Sequence, residues 1–379
     1  MTAGAMPAAR GFHVPQGHYL LSHSVGCLPV AARMRLEEAL FAPWAAAGSD
    51  AWPAWLGAIE AFRTALAGLL GGAPAYWCPQ PGVSAGVFKL ISALPRGERR
   101  TLLVSRHAFP SIGHALTGLE RLGYAVRFVD GNPTDLASWD RAMDGTVATA
   151  VFMHVHSNSG LISPVSALAA IARARGIFTI ADICQSAGII PLTVGGLGVD
   201  AVVGSCVKWL CGGPGAGFLW VDPDGLDRLT PPDRGWFSHE DPFEFAIDDF
   251  RYAPDARRFW GGTPSIAPYV LATAGIAAIA AAGVPEILAH NRTLLGRLRD
   301  RLSDRWTDGM DMTARGGTVC LDLGAAASAA ERRLREAGCH VDRRGETLRL
   351  SFHIFNDDAD CDAVAECLRS VDAPLRLAV

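Results

Sequence analysis

The sequence predicts an α/β chain: a large domain built on a mainly parallel sheet with helices on both faces, then a small α+β domain at the C-terminus. Three observations carry this. From Tyr76 onward, short β-branched and aliphatic runs alternate with longer segments whose apolar positions recur at helical spacing. His107, Phe109, His156, Asn158 and Asp182 all fall just past the ends of such runs, where a parallel sheet gathers its ligands. After Val221 the alternation weakens, and a helix-strand-helix-strand-helix pattern closes the chain.

Taken in order, residues 1–70 open with the apolar run HYLLSHSVGCLP and continue through Trp44, Trp52 and Trp55. The segment LGAIEAFRTALAGLL then reads as a helix stopped by Gly71 and Gly72. The aromatics in this part suit packing better than a substrate mouth. CPQPGVSAGVFKLISAL reads as a Gly/Ser turn opening a helix. TLLVS, AVRFV, VATAVFMHV and FTIAD read as strands, separated by helices from Ser111 to Leu122, near Asp135 to Met143, and from Val165 to Arg175. Residues 231–265, rich in aromatics, charges, Pro and Gly, read as a long ordered loop of the kind that serves function. From Pro285 come an Arg-rich helix, the strand TVCLDL, a helix, the strand LRLSF and a last helix. The expected division is an N-terminal segment 1–70 that joins the small domain and the mouth of the site, a large domain 71–284 and a small domain 285–379.

Composition bounds the function. The chain has 379 residues, 50% of them hydrophobic, enough for a large core. Net charge is −4 without a strong basic cluster, so there is no footprint for nucleic acid. No apolar run reaches the length of a membrane span, and LATAGIAAIAAAG, the nearest, suits a buried helix. Eleven histidines are scattered without metal-ligand spacing. Nine cysteines, an odd number without framework spacing, read as reduced thiols in a cytoplasmic protein.

The chemistry concentrates between Phe178 and Val221. FTIAD ends in Asp182, DAVVGS leads to Lys208, and Gly212, Gly213, Gly215 and Gly217 follow at once. A carboxylate at the mouth of one strand and a lone amine just past the next suit pyridoxal 5'-phosphate. Its aldehyde bonds a lysine amine, and a carboxylate keeps its ring nitrogen protonated. Lys208 is then nucleophile and proton carrier, Asp182 maintains the electron sink, and Gln185, one turn on, reaches the ring's phenolic oxygen. The turn PGVSAG, with Val83 and Ser84 at a helix start, offers N–H groups and a hydroxyl to a phosphate. Ser205 is a second candidate phosphate ligand, and Phe109, with His107 as the runner-up, is the candidate to stack on the ring. Arg349, in a strand of the small domain, is placed to bind a substrate carboxylate through a bidentate pair.

These residues, with Asn158-Ser159-Gly160, Gly261-Gly262-Thr263-Pro264 and Phe109-Pro110, resemble fold-type-I pyridoxal-phosphate enzymes of the class V aminotransferase group over about residues 19–367. Within that group the chain looks most like kynureninase, through YLLSHSVGCLP, FPSIGHAL, KWLCGGPGAGFLWV and GWFSHEDPFEF. The resemblance implies a seven-stranded sheet, Asn158 at cofactor and substrate, and His23 on the substrate side. It also implies a homodimer in which Trp236, Gly262 and Thr263 approach the partner's cofactor. The chain departs from kynureninases at Val207, where they carry Tyr, at Gln185, where they carry His, at His23 for Asn and at Ser238 for Gly. It also lacks the long cysteine loop of desulfurases, since only HVDRRGET separates Cys339 from Leu348-Arg349.

The leading expectation is a lyase or hydrolase that cleaves a small amino acid at its β-carbon, breaking a Cβ–Cγ or Cβ–S bond. An aminotransferase or epimerase is the alternative, since both use the same cofactor linkage. A non-catalytic binding protein of the same fold is the third reading, and the joint presence of Lys208, Asp182 and Asn158 argues against it.

Overall fold

A computed structural model describes residues 3–307 and 311–378. The large sheet has seven strands: β1 (Trp77–Gln80), β2 (Thr101–Ser105), β3 (Ala125–Val129), β4 (Val147–Met153), β5 (Phe178–Asp182), β6 (Ala201–Ser205) and β7 (Gly217–Val221). Their order across the sheet is β1-β7-β6-β5-β4-β2-β3. All neighbours run parallel except β7, which is antiparallel to both β1 and β6.

Strand β1 is the element the sequence pattern conceals. It holds Pro79, and proline normally argues against a strand because it lacks the N–H a ladder needs. Here β1 is the sheet edge, so it bonds on one side only, with Pro79 opposite Phe218. The antiparallel course of β7 was likewise hidden. It follows from the short Lys208–Gly217 turn, which leaves no room for a crossover helix.

Alternate residues of the central strands enter two cores, which is why these runs read as continuously apolar. Leu103, Ala150, Phe152, Ala181, Val202 and Phe218 point to one face, packed with Ile59, Phe62 and Leu66 of helix α1 (Trp52–Leu70). Leu102, Val104, Val151, Ile180, Val203 and Leu219 point to the other, under α2 (Val83–Ser92) and α3 (Pro110–Gly118). Helices α4 (Leu136–Ala142), α5 (Val165–Ala174) and α6 (Ala267–Ala282) complete the large part. The Ala-rich α6 buries Val270, Ala272, Ile276 and Ile279, as its small residues predict.

After α7 (Val284–Arg301) comes an antiparallel sheet of four strands, β8 (Thr318–Asp322), β9 (Asp342–Arg344), β10 (Thr347–Ser351) and β11 (Arg376–Leu377), ordered β9-β10-β8-β11. Helices α8 (Ala327–Glu336) and α9 (Asp358–Arg369) cover it over a separate core that includes Leu298, Leu321, Leu334, Leu350 and Leu368. The N-terminal segment joins this part: His18–Tyr19 pairs in parallel with Cys339–His340. Among the described residues no single helix is long and apolar enough to cross a membrane.

Close packing sets one test. A Cβ on Gly204, in β6, would fall 2.2 Å from the Phe218 ring on β7. Gly204→Ala is expected to lower stability by about 1–3 kcal/mol in urea titration, the usual cost of overpacking. Adding Phe218→Leu, which removes the clashing ring atoms, should recover part of that loss in a double-mutant cycle.

Candidate active site

The carboxyl ends of β4, β5 and β6 open onto a cavity of about 260 Å³. It collects residues far apart in sequence: Val83 and Ser84 from the start of α2, Phe109 ahead of α3, Asp182 and Gln185 after β5, and Ser205, Val207 and Lys208 after β6. Seven of the expected cofactor residues therefore share one space: Val83, Ser84, Phe109, Asp182, Gln185, Ser205 and Lys208.

Each is placed by local structure. Asp182 ends β5 and is buried, its Oδ1 accepting the Cys184 N–H at 2.8 Å. Burial and the neighbouring Asp182 charge push the Cys184 thiol far up, so it stays protonated and inert. No Lys, Arg or His among the described residues forms an ion pair with Asp182, so its buried carboxylate faces the cavity unpaired. Lys208 sits in the turn after β6, its Nζ 5.6 Å from the centroid of the Phe109 ring. Both ends of the Gln185 amide are engaged: Nε2 donates to the His23 carbonyl at 2.9 Å, and Oε1 accepts from Trp209 Nε1 at 3.1 Å. One Nε2 hydrogen remains.

The turn carrying Lys208 is held by close backbone contact. Gly26 N–H donates to the Val207 carbonyl at 2.7 Å, and a Cβ on Gly26 would fall 2.2 Å from the Lys208 carbonyl oxygen. The N-terminal segment is thus keyed to the lysine turn by Gly26, the glycine of the YLLSHSVGCLP run.

The remaining expected residues lie elsewhere. Asn158 is exposed beside the buried Ser157, which borders the cavity. His23 is buried, with Nδ1 2.9 Å from Ser351 Oγ and Nε2 3.0 Å from Asp342 Oδ1. Burial lowers its pKa to about 4 despite Asp342, so it is neutral, with Nε2–H donating to the carboxylate. Arg349 is fully buried and forms a bidentate pair with Asp342. Trp236, Gly262 and Thr263 do not border the cavity of their own chain. Trp236 lines a separate one of about 240 Å³ with His239 and Phe245, and its Nε1 donates to Thr263 Oγ1 at 3.3 Å. Trp77 is buried in the core with its Nε1 donating to the Gly71 carbonyl.

Sequence reasoning passed over three residues. Ser111, in the first turn of α3, lines the cavity with Ser84 and Ser205. Asp342 and Arg344, on β9, reach the site through a hairpin too short to show a strand pattern. The Asp-x-Arg spacing, which puts both side chains on one strand face, was the available signal.

Residues 91–364 match the aminotransferase class-V family, and the chain belongs to it. Kynureninase of Pseudomonas fluorescens is 30% identical over 285 residues, 71% of this chain and 67% of that protein. Kynureninase of Deinococcus radiodurans is 33% identical over 259 residues, 65% of this chain and 62% of its own. Among solved structures, a cysteine desulfurase from Thermococcus onnurineus NA1 superposes with TM-score 0.83 at 18% identity, covering 97% of this chain and 98% of its own. A cystine C–S lyase, in complex with its product cysteine persulfide, also gives 0.83 at 20% identity, covering 94% of this chain and 98% of its own. The architecture is fold type I, and family membership makes this a pyridoxal-phosphate-dependent enzyme. The cavity fits that cofactor. It has an uncompensated buried carboxylate for a ring N–H, an amine for an aldehyde and an aromatic ring to stack on. For the phosphate it has the N-terminus of α2 with three serine hydroxyls that have no hydrogen-bond partner among the described residues.

Two expectations follow. Gly26→Ala should weaken cofactor retention on dialysis and lower the melting temperature, because the new methyl displaces the lysine turn. The second concerns pH. Burial lowers His23, His154 and His156 to about 4 and His353 to about 3, from 6.5. Each contributes stability present in full above its unfolded value near 6.5 and lost as pH falls toward the folded value. Unfolding free energy from urea titration should therefore drop between pH 6.5 and about 4. His353→Phe, which keeps a ring between Trp209 and Phe355, should flatten that slope.

Proposed function

We propose that this chain is a pyridoxal-phosphate-dependent lyase or hydrolase that cleaves a small amino acid at its β-carbon, acting on a Cβ–Cγ or Cβ–S bond. The observation that carries this is the convergence of Lys208, Asp182 and Phe109 on one cavity, in a chain related to kynureninases. Persulfide chemistry at Cys339 is disfavoured: the thiol is buried away from the cavity, and burial pushes it up to about 12.

When bound, the cofactor supplies an electron sink for negative charge at the substrate α-carbon. The chain does the rest. Lys208 would hold the cofactor by its aldehyde and, once released, move a proton at the α-carbon. Asp182 would hold the proton on the ring nitrogen, and the spare Nε2 hydrogen of Gln185 would meet the ring's phenolic oxygen. Ser84, Ser111, Ser205 and the first turn of α2, opening at Val83, would orient the phosphate, while Phe109 covers a ring face. Asn158 and the basic groups near Ser157 form the substrate side.

The working unit in this reading is a cytoplasmic homodimer. Exposed Trp44, Phe245 and Ile247 offer apolar surface, and Trp236, Gly262 and Thr263, outside the lining of their own cavity, would serve the partner's cofactor. Nine free cysteines, all but Cys367 buried, suit a reducing compartment.

Purified wild type should be yellow and release a keto acid, alanine or leaving group from at least one β-substituted amino acid. Lys208→Ala should not form that colour and should lose roughly a thousandfold or more in kcat. Asp182→Asn should keep the lysine linkage but lose roughly a hundredfold or more in rate. Release from none of a broad panel would defeat the reading, and amino transfer to a keto acid without cleavage would favour an aminotransferase.

A further inference from the structure

The strands that carry the site have a second set of ends. At the amino ends of β4, β5 and β6 lies another cavity, of about 630 Å³, a volume in the range of small-molecule sites. Ala148 near the start of β4, Phe178 at the start of β5 and Asp200 just ahead of β6 line it. Because β7 runs antiparallel, its carboxyl end arrives at the same place and brings Gly225, Arg228 and Leu229. Arg99 and Tyr124 enter from the connections ahead of β2 and β3, and Arg173 from the last turn of α5. Phe178 borders this cavity and Asp182 the other, roughly 13 Å apart along β5 at the usual strand rise.

The lining is of two kinds. Leu94, Tyr124, Ala148, Ile177, Phe178 and Leu229 are apolar wall, and the Tyr124 and Phe178 rings stay partly exposed. Arg99, Arg173 and Arg228 supply three guanidiniums, none of them paired with a carboxylate among the described residues. Surface arginines elsewhere, such as Arg106, Arg127 and Arg251, do take carboxylate partners. Arg99 spends one donor on the Arg175 carbonyl and Arg173 one on the Gly198 carbonyl. Arg228 has no hydrogen-bond partner among the described residues. It lies over Gly225, where a Cβ would stand 3.5 Å from its Nη2. The acids of the lining do not answer this charge. Asp200 Oδ2 accepts from the Thr179 N–H at 2.8 Å and from the Thr179 hydroxyl at 2.7 Å. Glu98 is exposed, and neither acid comes within ion-pair distance of the three arginines.

We propose that this cavity is a second binding site, for a phosphate monoester carried on a flat ring, the class to which nucleoside monophosphates belong. A phosphate monoester has three terminal oxygens and close to two negative charges, so it can offer an acceptor to each guanidinium. A carboxylate, with two oxygens and one charge, cannot. The planar arginine fork suits such oxygens, and the ring of the ligand rests against Tyr124, Phe178 and Leu229. The site stands apart from the amino-acid reading, since none of its residues lines the other cavity.

The test is calorimetric titration of the full chain, freed of unbound cofactor, with AMP, phenyl phosphate, adenosine and inorganic phosphate. AMP and phenyl phosphate should bind. Adenosine and inorganic phosphate, each keeping one half of the contacts, should bind roughly tenfold or more weakly. Arg228→Ala should weaken AMP roughly 10-fold, and Arg99→Ala with Arg228→Ala roughly 100-fold, the loss of charge-assisted bonds. Ala148→Leu, which narrows the cavity without changing its charge, should weaken AMP as well. All these variants should keep the colour of wild type and its spectral response to L-alanine, because the changes lie at the opposite ends of the strands. No binding of either monoester by wild type at roughly 5 mM, or a double arginine variant within about twofold of wild type, would overturn the site. Adenosine matching AMP would overturn the phosphate assignment, and inorganic phosphate matching AMP would overturn the ring. A colourless wild type that still binds AMP through these arginines would defeat the proposed function and leave this site standing.

Discussion

The ion pair between Arg349 and Asp342 is the constraint on which the cavity wall at Ser157 depends. A fully buried guanidinium is tolerable only with a matched carboxylate and further acceptors, and Arg349 has both. The partners come from three parts of the chain. Asp342 belongs to the C-terminal hairpin, Ser157 to the loop after β4, and His23, which shares Asp342, to the N-terminal segment. His23 in turn passes its backbone carbonyl to Gln185, whose amide also takes the Trp209 indole. One buried charge thereby ties the cavity wall to the residues that flank Asp182 and Lys208.

The cofactor side obeys a simpler rule. Parallel strands end together, and the chain must leave the sheet at each carboxyl end, so loops after β4, β5 and β6 converge without any specific attraction. What is specific is the electrostatic arrangement. An unpaired buried carboxylate at Asp182, an amine over an aromatic ring at Lys208 and uncommitted hydroxyls near the start of α2 each leave a polar demand that the protein does not meet among the described residues. The cysteines add nothing to it. Burial raises the thiols of Cys184 in the cavity and Cys339 in the small-domain core.

Much of this was legible in the residues. Strands with four consecutive apolar or β-branched positions, such as TLLVS and FTIAD, read correctly because both faces of a central parallel strand are buried, which leaves a run that needs no partner to be recognised. Lys208 and Asp182 were recognisable for a related reason: a strand end is a position in sequence as well as in space. Edge strand β1 and hairpin strand β9 were not legible. Pro79 is admissible only because β1 has one neighbour, and Asp342–Arg344 is too short for alternation to register.

The amino-acid order by itself thus determined the α/β class, the ends of the central parallel strands and the proposed cofactor pair, Lys208 and Asp182, since periodicity and strand-end position are properties of the chain alone. Tertiary structure decided which charges are spent. Arg349 and Arg344 are equivalent as residue types five positions apart, and only packing shows that one is sealed against Asp342 while the other keeps donors beside Phe109. The physical reason is that a charge's availability depends on its desolvation and its partners, and, apart from the Arg349–Asp342 pair itself, the partners of these two arginines and of Asp342 come from segments more than a hundred residues away.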